Sequence, residues 1–357
     1  MSFDTRTNSV MSLKQAEGLL SDRQYLIAEG LLCLVRGSVS FLGIIGNIIN
    51  IITYFSMRPN DGVTASFLVL AFSDFSYLVT MASRAVSFGF YFLEKIYNMT
   101  IWFPVEPYGV YIFFGNAGSI PYTVSILITT LLSVVRCISV WQPLKFKTMF
   151  GPKRSMYVVV VFMLFSAGTY IPVLVYMGMT DQFNGQINAS RPTLWVSPKR
   201  EEIKVNMWAV RDAMLPIASE FIVSSCVIVM AQSLKKTLAF RHNQSNTLKT
   251  DFFPKNISSY KKTHRPTKLI GKELQAVQQV LFIALIFIIC NTPKIVVNFT
   301  PYLLPDFALG QLNQNLYLTS IGVLYLFQVI NSSTSVLIYY NFSSKYRKHF
   351  RICFGLL

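Results

Sequence analysis

The sequence predicts an all-α membrane protein: a seven-transmembrane helix bundle with a short amphipathic eighth helix. Seven apolar stretches are long enough to cross a bilayer, which takes about 20 helical residues. Only 13% of the 357 residues are charged, whereas 52% are hydrophobic; soluble domains carry about 25% charged residues. Lys and Arg also concentrate in alternate loops, as they do in membrane proteins with a fixed orientation.

Turn-forming segments such as 58–62 and 151–152 separate the seven stretches. The stretches cover residues 29–57, 64–92, 106–140, 153–178, 206–238, 268–301 and 309–341. Residues 1–28 would form an extracellular N-terminus, and residues 342–357 a cytoplasmic amphipathic helix and tail. No cleaved signal peptide is expected, because the first thirty residues are polar and carry both charge signs.

The distribution of Lys and Arg predicts the orientation. Nineteen of the 32 lie on one side of the seven stretches and eight on the other. Because cytoplasmic loops carry the excess, we expect a multi-pass plasma-membrane protein with its N-terminus outside and its C-terminus in the cytoplasm. The net charge of +16 then reflects topology, and no nucleic-acid partner is expected. Asn98 and Asn188 begin sequons in outer loops and are predicted glycosylation sites.

Four oxygen-bearing residues fall near mid-membrane: Asp74 in the second span, Ser125 in the third, and Asn331 and Ser335 in the seventh. A polar group at this depth must face protein or water. A carboxylate surrounded by neutral oxygens suits a small hard cation such as sodium. A hydrogen-bonded packing network around a protonated Asp74 explains the same residues, so both interpretations stay open.

Charged residues also mark the inner ends of two spans. Arg136 ends the third span and Glu273 begins the sixth. The two side chains could pair and hold the helices together, or they could be unrelated residues that extend to the membrane surface. Proline residues within the spans, Pro172, Pro216 and Pro293, predict kinks, because proline removes a backbone donor.

A group of charged, amide and aromatic residues falls in the outer halves of the spans. Its members are Arg84, Tyr122, Arg211, Asp212, Lys294, Asn298 and Tyr325. Charged groups at this depth favour a water-accessible cavity that opens outward. Pairing of Asp212 with Lys294 or Arg84 for purely structural reasons is the alternative, and the two can coexist. The cations outnumber the one acid, which favours a ligand with an anionic group.

Short motifs within the spans resemble those of rhodopsin-like (class A) G-protein-coupled receptors. The matching segments are Gly46-Asn47, Leu70-Ala71-Phe72-Ser73-Asp74, Val135-Arg136-Cys137 followed by Trp141-Gln142-Pro143-Leu144, Cys290-Asn291-Thr292-Pro293, and Tyr339 after Ser335-Val336-Leu337-Ile338. The resemblance covers residues 29 to 353. Each motif is loose, but their order along six of the seven helices is specific.

The resemblance implies roles for particular residues. Arg136 would meet a heterotrimeric G protein in the active state and pair with Glu273 in the inactive state, and Tyr339 would support the active state. Other implied roles are a core switch at Ile126, Pro216 and Phe287, a hinge at Pro293, a sodium ion as allosteric modulator at Asp74, and palmitoylation of Cys353. No other cofactor is implied.

Several positions depart from the family's pattern. Val135 replaces the acid before Arg136, and Asn291 replaces the toggle Trp. Tyr111 stands where the family has the third-helix Cys, and residues 179–205 contain no Cys, so the usual outer disulfide cannot form. This divergence resembles invertebrate, particularly molluscan, chemosensory or FMRFamide-like neuropeptide receptors.

The predicted function is therefore a receptor that binds an extracellular small molecule or peptide and activates a G protein by outward movement of the sixth helix. Gly118 replaces the third-helix Asp of amine receptors, which disfavours a biogenic amine. A transporter of a small anionic solute is the alternative, but the chain shows no internal repeat. An enzyme is not expected, because the three His all lie in inner segments, and residues 309–341 lack the Lys of an opsin.

Overall fold

The computed structural model describes residues 18–58, 61–97, 103–141, 152–184, 189–250 and 266–355. Within these ranges it leaves the side chains of 97, 152, 184, 189, 201, 204, 206, 236–250, 266–274 and 276 undescribed. The described chain contains seven helical segments long and apolar enough to cross a membrane. The predicted seven-helix membrane bundle is thereby confirmed.

Within the described ranges, the elements follow one another as helices and one pair of antiparallel strands. Their bounds are α1 (Asp22–Ser56), α2 (Gly62–Tyr97), α3 (Pro107–Ala117), α4 (Ser119–Trp141), α5 (Pro152–Val175), β1 (Met177–Asn184), β2 (Ala189–Val196), α6 (Lys199–Trp208), a π-helical segment (Ala209–Met214), α7 (Leu215–Thr250), α8 (Pro266–Leu303), α9 (Gln314–Ser333), α10 (Ser335–Phe342) and α11 (Ser344–Cys353). The third span comprises α3 and α4, the fifth the π-helical segment and α7, and the seventh α9 and α10.

The first and seventh spans begin at different residues from those predicted. Helix α1 begins at Asp22 rather than 29 because Ser21 caps it: the Ser21 side chain accepts from the Gln24 backbone N–H, and the Gln24 side chain accepts in return. A prediction based on the apolar stretch alone does not include this polar first turn. The seventh span begins at Gln314 rather than 309 because Gly310 adopts a φ of 78°, which is incompatible with a right-handed helix.

The outer segment after the fourth span is also more ordered than expected. Helix α5 ends at Val175 rather than 178, and strands β1 and β2 pair in antiparallel fashion, with Met177 opposite Val196 and Asn184 opposite Ala189. Helix α6 then starts at Lys199, before the predicted start of the fifth span at 206, because a helix that leaves the bilayer can continue with charged residues in water.

The third span is interrupted at Gly118, between α3 and α4. A Cβ at this position would lie 2.5 Å from Thr80 Oγ1 and 2.9 Å from the Met81 methyl carbon in α2. A larger residue would have to displace the Thr80 and Met81 side chains, so glycine favours this close approach of the second and third spans. Gly118, which replaces the Asp of amine receptors, is thus a site of close helix packing.

The predicted eighth helix is present as α11, and it docks on the inner end of the bundle. Tyr346 is fully buried, and its hydroxyl donates to Asn50 Oδ1 of α1 at 2.7 Å. Burial raises the pKa of Tyr346 to about 12. The Ser343 side chain accepts from the Tyr346 backbone N–H and caps α11. Tyr346 therefore takes part in the cap through its backbone and attaches α11 to α1 through its side chain.

Helix α2 begins directly after Asp61, whose carboxylate accepts from the Thr64 backbone N–H at 2.7 Å and from the Thr64 hydroxyl at 2.8 Å. Lys345 Nζ of α11 lies 3.7 Å from Asp61 Oδ2, the oxygen that also accepts from the Thr64 hydroxyl. Partial burial tends to raise the pKa of Asp61, but the hydrogen bonds from Thr64 and the charge of Lys345 outweigh it and lower the pKa. Asp61 acts as a charged helix cap.

Candidate functional site

The structure divides the predicted outer residues into two clusters, each with one excess positive charge. In the first, the guanidinium of Arg84 in α2 lies between two aromatic rings, 4.1 Å from the centroids of Tyr111 in α3 and Tyr325 in α9. One of its nitrogens donates to the Tyr111 hydroxyl. Such stacking stabilises a desolvated cation by up to about 2 kcal/mol.

The acid of this first cluster is Glu29 in α1, a residue that the sequence did not single out. Glu29 pairs with Arg36, which lies about two helical turns further along α1, and both side chains are buried. Glu29 Oε1 also accepts from the Tyr111 hydroxyl at 2.8 Å, and Arg36 Nη1 donates to the Gly322 carbonyl at 3.1 Å. At the junction of the first, second, third and seventh spans, Arg36 therefore pairs directly with this carboxylate, and Arg84 is linked to it through the Tyr111 hydroxyl.

The second cluster joins the fifth and sixth spans. Asp212 Oδ1 lies 3.1 Å from Lys294 Nζ, and its Oδ2 accepts from Arg211. The Asn298 amide donates to the Asp212 backbone carbonyl at 2.7 Å. The predicted pairing of Asp212 with Lys294 is present, whereas Arg84, the other predicted partner, belongs to the first cluster. Here two cations share one carboxylate.

Both clusters carry donors that nothing on the described chain satisfies. Nε and Nη1 of Arg84 and Nε and Nη1 of Arg211 are buried without a hydrogen-bond partner among the described residues. Arg211 also lies over the Tyr170 ring at 3.9 Å. Buried polar groups are normally hydrogen-bonded, so these four nitrogens are available to a further acceptor, as Glu29 Oε2 in the first cluster is available to a further donor.

Tyr122 lies beneath the second cluster, with its ring centroid 5.8 Å from Lys294 Nζ. Its hydroxyl is buried without a described partner, and its ring packs on Tyr77 at 4.9 Å. Tyr122 also belongs to a core cluster with Ile126 and Phe287. It therefore connects the outer charges to the middle of the bundle.

The predicted core switch lies at this middle level. Ile126 and Phe287 are fully buried in one core cluster, and the Pro216 carbonyl faces the Asn291 amide at 3.4 Å. Asn291, in place of the toggle Trp, also donates to Glu220 of α7 at 2.8 Å. Sequence reasoning missed Glu220, although an acid within an apolar span is itself a signal.

The four predicted sodium ligands surround one small cavity. Asp74, Ser125, Asn331 and Ser335 all line it, and its volume is about 20 Å³, enough for about one water-sized particle. Asp74 Oδ1 accepts from the Ser125 hydroxyl at 2.8 Å. Three neutral oxygen-bearing side chains around one carboxylate match the ligand preference of a hard cation.

At the inner end, Arg136 lines a cavity of about 620 Å³ together with Tyr54, Asp61, Gln275 and Gln279. Its Nε is buried without a hydrogen-bond partner among the described residues. The side chain of Glu273, the predicted partner, lies outside the described part of the chain. The structure therefore does not show the predicted ion pair, and it adds Asp61 as an acid that faces the same cavity.

Tyr339 is fully buried, and its ring lies 5.2 Å from Phe67 and 5.7 Å from Tyr346. It lines the cavity of Asp74, on the side of that cavity that faces the inner cleft.

The remaining predicted residues are placed as follows. Pro293 lies within the continuous helix α8, where a hinge was predicted. Cys353, the predicted lipidation site, is a free cysteine at the end of α11. Asn98 and Asn188, the predicted glycosylation sites, lie outside the described residues.

Non-covalent contacts hold the outer hairpin in place of the missing disulfide, and all five cysteines are free. The Glu106 backbone N–H donates to the Pro192 carbonyl, and its carboxylate accepts from the Leu194 N–H, both at 2.9 Å. Arg191 of β2 forms an ion pair with Glu94 of α2 at 2.7 Å. Tyr111, which replaces the usual Cys, instead bonds Glu29 and Arg84.

Comparison with known families gives one match. The model of the family described as "7 transmembrane receptor (rhodopsin family)" matches residues 46–333. No curated protein matches the chain.

Proposed function

The chain belongs to the rhodopsin family of seven-transmembrane receptors, and from this premise we propose that it recognises an extracellular ligand with an anionic group. Membership makes it a multi-pass membrane receptor rather than an enzyme, with a G protein as its partner. The transporter alternative is therefore not retained. What the family leaves open is the ligand, the residues that bind it and the way binding reaches the G protein.

The observation that carries the proposal is the charge of the outer clusters. Arg36 and Arg84 face only Glu29, and Arg211 and Lys294 face only Asp212, among the acids described there. The two clusters together hold two more cations than acids. Since buried charge is stable only when paired, an incoming carboxylate or similar anion would complete the balance and accept from the unsatisfied guanidinium nitrogens.

Binding would reach the inner side through the core cluster. In this mechanism a ligand that draws Lys294 and Arg211 inward moves Tyr122, which packs with Ile126 and Phe287. The sixth span then swings outward at Pro293 and opens the cleft around Arg136. The ligand shifts the population only by its different affinity for the two arrangements.

We propose four further features of this receptor. A sodium ion would occupy the cavity of Asp74, Ser125, Asn331 and Ser335 and favour the inactive arrangement. The receptor would have its N-terminus outside, a lipid on Cys353, and a chemosensory or FMRFamide-like neuropeptide role of invertebrate type. The sodium proposal is supported by the cavity's oxygen donors, the orientation by the excess of Lys and Arg on one side, and the role by sequence resemblance.

A ligand screen with a second-messenger readout tests the proposal. Cells that express the receptor would be exposed to amino acids, organic acids, peptides with a free carboxylate and the matching amidated peptides. We expect only ligands with an anion to raise the signal, and we expect Arg136→Ala to abolish it at equal surface expression. Activation by amidated, uncharged peptides at the same potency as by their carboxylate forms would refute the anion proposal.

Once a ligand is found, charge-neutral variants locate the site. We expect Arg84→Gln and Lys294→Gln to raise the concentration for half-maximal response by at least tenfold, because each removes a charge-assisted contact worth about 1.5–3 kcal/mol. Lys95→Gln is the matched control: Lys95 is an exposed cation on the same helix as Arg84, with its ammonium over Tyr91. An equal loss of potency in all three variants would mean that the overall positive charge of the outer surface, and not a specific site, determines ligand binding.

A further inference from the structure

A carboxyl group lies at the lipid-facing boundary between the fifth and sixth spans. Glu220 follows Pro216 by one helical turn in α7. One of its oxygens accepts from the Asn291 amide at 2.8 Å, and the other lies 3.0 Å from the Thr292 hydroxyl, which also lies 2.8 Å from the Ile288 carbonyl; Asn291 and Thr292 are both in α8. Thr292 is exposed on the helix surface, so this polar bridge faces the bilayer on one side.

The same carboxyl group lines a surface groove. The groove has a volume of about 510 Å³, and its other lining residues are Ile217, Phe221, Ser224, Ile295 and Phe299. This volume is within the range of small-ligand sites. Phe221 is 74% exposed, so the groove opens sideways to lipid rather than upward to water.

Glu220 is also unusual in its electrostatics. Two other acids in the outer halves of the spans have cations: Glu29 has Arg36, and Asp212 has Lys294. For Glu220 the described residues provide neutral donors and no ion pair. Asp74 also lacks a cation, but it is enclosed, with 3% exposure. A carboxylate within the hydrocarbon layer is expensive unless it is paired, so an ammonium group that reaches the groove would gain an ion pair with Glu220.

We propose that this groove binds a lipophilic amine from the bilayer, with the ammonium paired to Glu220 and the hydrocarbon chain packed on Phe221 and Phe299. The ammonium would compete with Asn291 and Thr292 for the carboxylate. Those bonds join α7 to α8 next to Pro293, so the amine would also act on the hinge of the sixth span. The site is separate from the outer charged clusters.

The test uses the full-length receptor in phosphatidylcholine nanodiscs with dodecylamine as the probe and dodecanol as the neutral probe of equal chain length. Unfolding is followed with a thiol-reactive dye, since Cys33, Cys226 and Cys290 are buried free thiols. We expect dodecylamine, and not dodecanol, to raise the unfolding temperature, because a ligand that binds only the folded state stabilises it. The rise would saturate with the mole fraction of amine.

Two variants separate the groove from a general effect of charge. In Glu220→Gln the difference between amine and alcohol is expected to vanish, whereas Glu94→Gln, which removes an acid of α2 away from the groove, is expected to keep it. Equal stabilisation by both probes, or an unchanged amine effect in Glu220→Gln, would overturn the proposal.

A second measurement on the unaltered receptor covers the case in which Glu220→Gln does not fold. A dodecylamine with a photoreactive diazirine at its chain end is expected to label peptides that contain residues 217–224 or 292–299. An excess of dodecylamine, and not of dodecanol, would suppress the labelling. Labelling that lies elsewhere, or that both competitors suppress equally, would refute the site. Neither measurement depends on the outer ligand or on G-protein coupling.

Discussion

Neutralising Glu29 tests the first cluster most directly. The side chains of Glu29 and Arg36 are 1% and 3% exposed, and Glu29 also accepts from Tyr111. Removing one partner of a buried ion pair leaves the other charge uncompensated and costs about 3–5 kcal/mol. Glu29→Gln leaves two buried arginines, Arg36 and Arg84, without their acid, so we expect a loss in this range.

The matched control is an exposed ion pair of the same protein. Lys345 and Asp61 lie 3.7 Å apart, and both side chains are 56% exposed. Exposed pairs contribute about 0–1 kcal/mol, and Lys345→Met leaves the helix cap at Asp61 intact. The expected difference between Glu29→Gln and Lys345→Met is therefore at least about 2 kcal/mol.

Thermal inactivation in detergent, followed with the thiol-reactive dye, measures both variants. Because large membrane proteins often unfold irreversibly, half-lives at one temperature are compared. We expect Glu29→Gln to shorten the half-life far more than Lys345→Met does, and Glu29→Gln with Arg36→Met to recover part of it. Equal half-lives for the two single variants would show that the Glu29 network does not stabilise the bundle.

Three further predictions concern the inner half. Val135→Asp restores the family's acid beside Arg136 and is expected to lower the basal second-messenger signal at equal surface expression. Asp74→Asn is expected to abolish any effect of sodium, relative to potassium, on the unfolding temperature. Asp61→Ala is expected to lose about 1 kcal/mol of cap stability. Because the folded-state pKa of Asp61 lies below its usual 3.8, that contribution is present at neutral pH and is lost as the pH falls through the folded-state pKa. Unfolding temperatures of the variant and the unaltered receptor at pH 7 and pH 3.5 would measure it.

Each of these has an outcome that contradicts it. An unchanged basal signal in Val135→Asp would mean that Arg136 is not restrained by a neighbouring acid. A sodium effect that persists in Asp74→Asn would place the ion elsewhere. A difference between Asp61→Ala and the unaltered receptor that is as large at pH 3.5 as at pH 7 would exclude a charged cap at Asp61.

The sequence was sufficient for the membrane-spanning segments, because the length and apolar character of a bilayer-crossing helix are local properties. It also identified the residues around the Asp74 cavity, through a family motif and through polar groups at a common depth. Asp212 with Lys294 was one of two proposed pairings. Choosing between them required the relative rotation of the fifth and sixth spans, which no local pattern contains.

The Glu29 network was missed because its partners are far apart in the chain. Glu29 and Tyr111 are 82 residues apart, and Glu29 was taken for the first residue of an apolar run. The hairpin after the fourth span had only a weak local signal: the dipeptide Asn184-Gly185 is typical of two-residue turns, whereas here Asn184 itself pairs with Ala189. Its attachment through Glu106 and Arg191 had none, since it depends on how the outer ends of three helices meet.

The way the hairpin is fastened also affects how the protein matures. Its attachment includes a hydrogen bond from the Glu106 backbone N–H to the Pro192 carbonyl, one from the Leu194 backbone N–H to the Glu106 carboxylate, and the ion pair of Arg191 with Glu94. All five cysteines are free, so no thiol has to be oxidised during synthesis. We therefore expect dithiothreitol to leave surface delivery and signalling intact. Host cells without oxidative folding machinery are then suitable for producing this receptor.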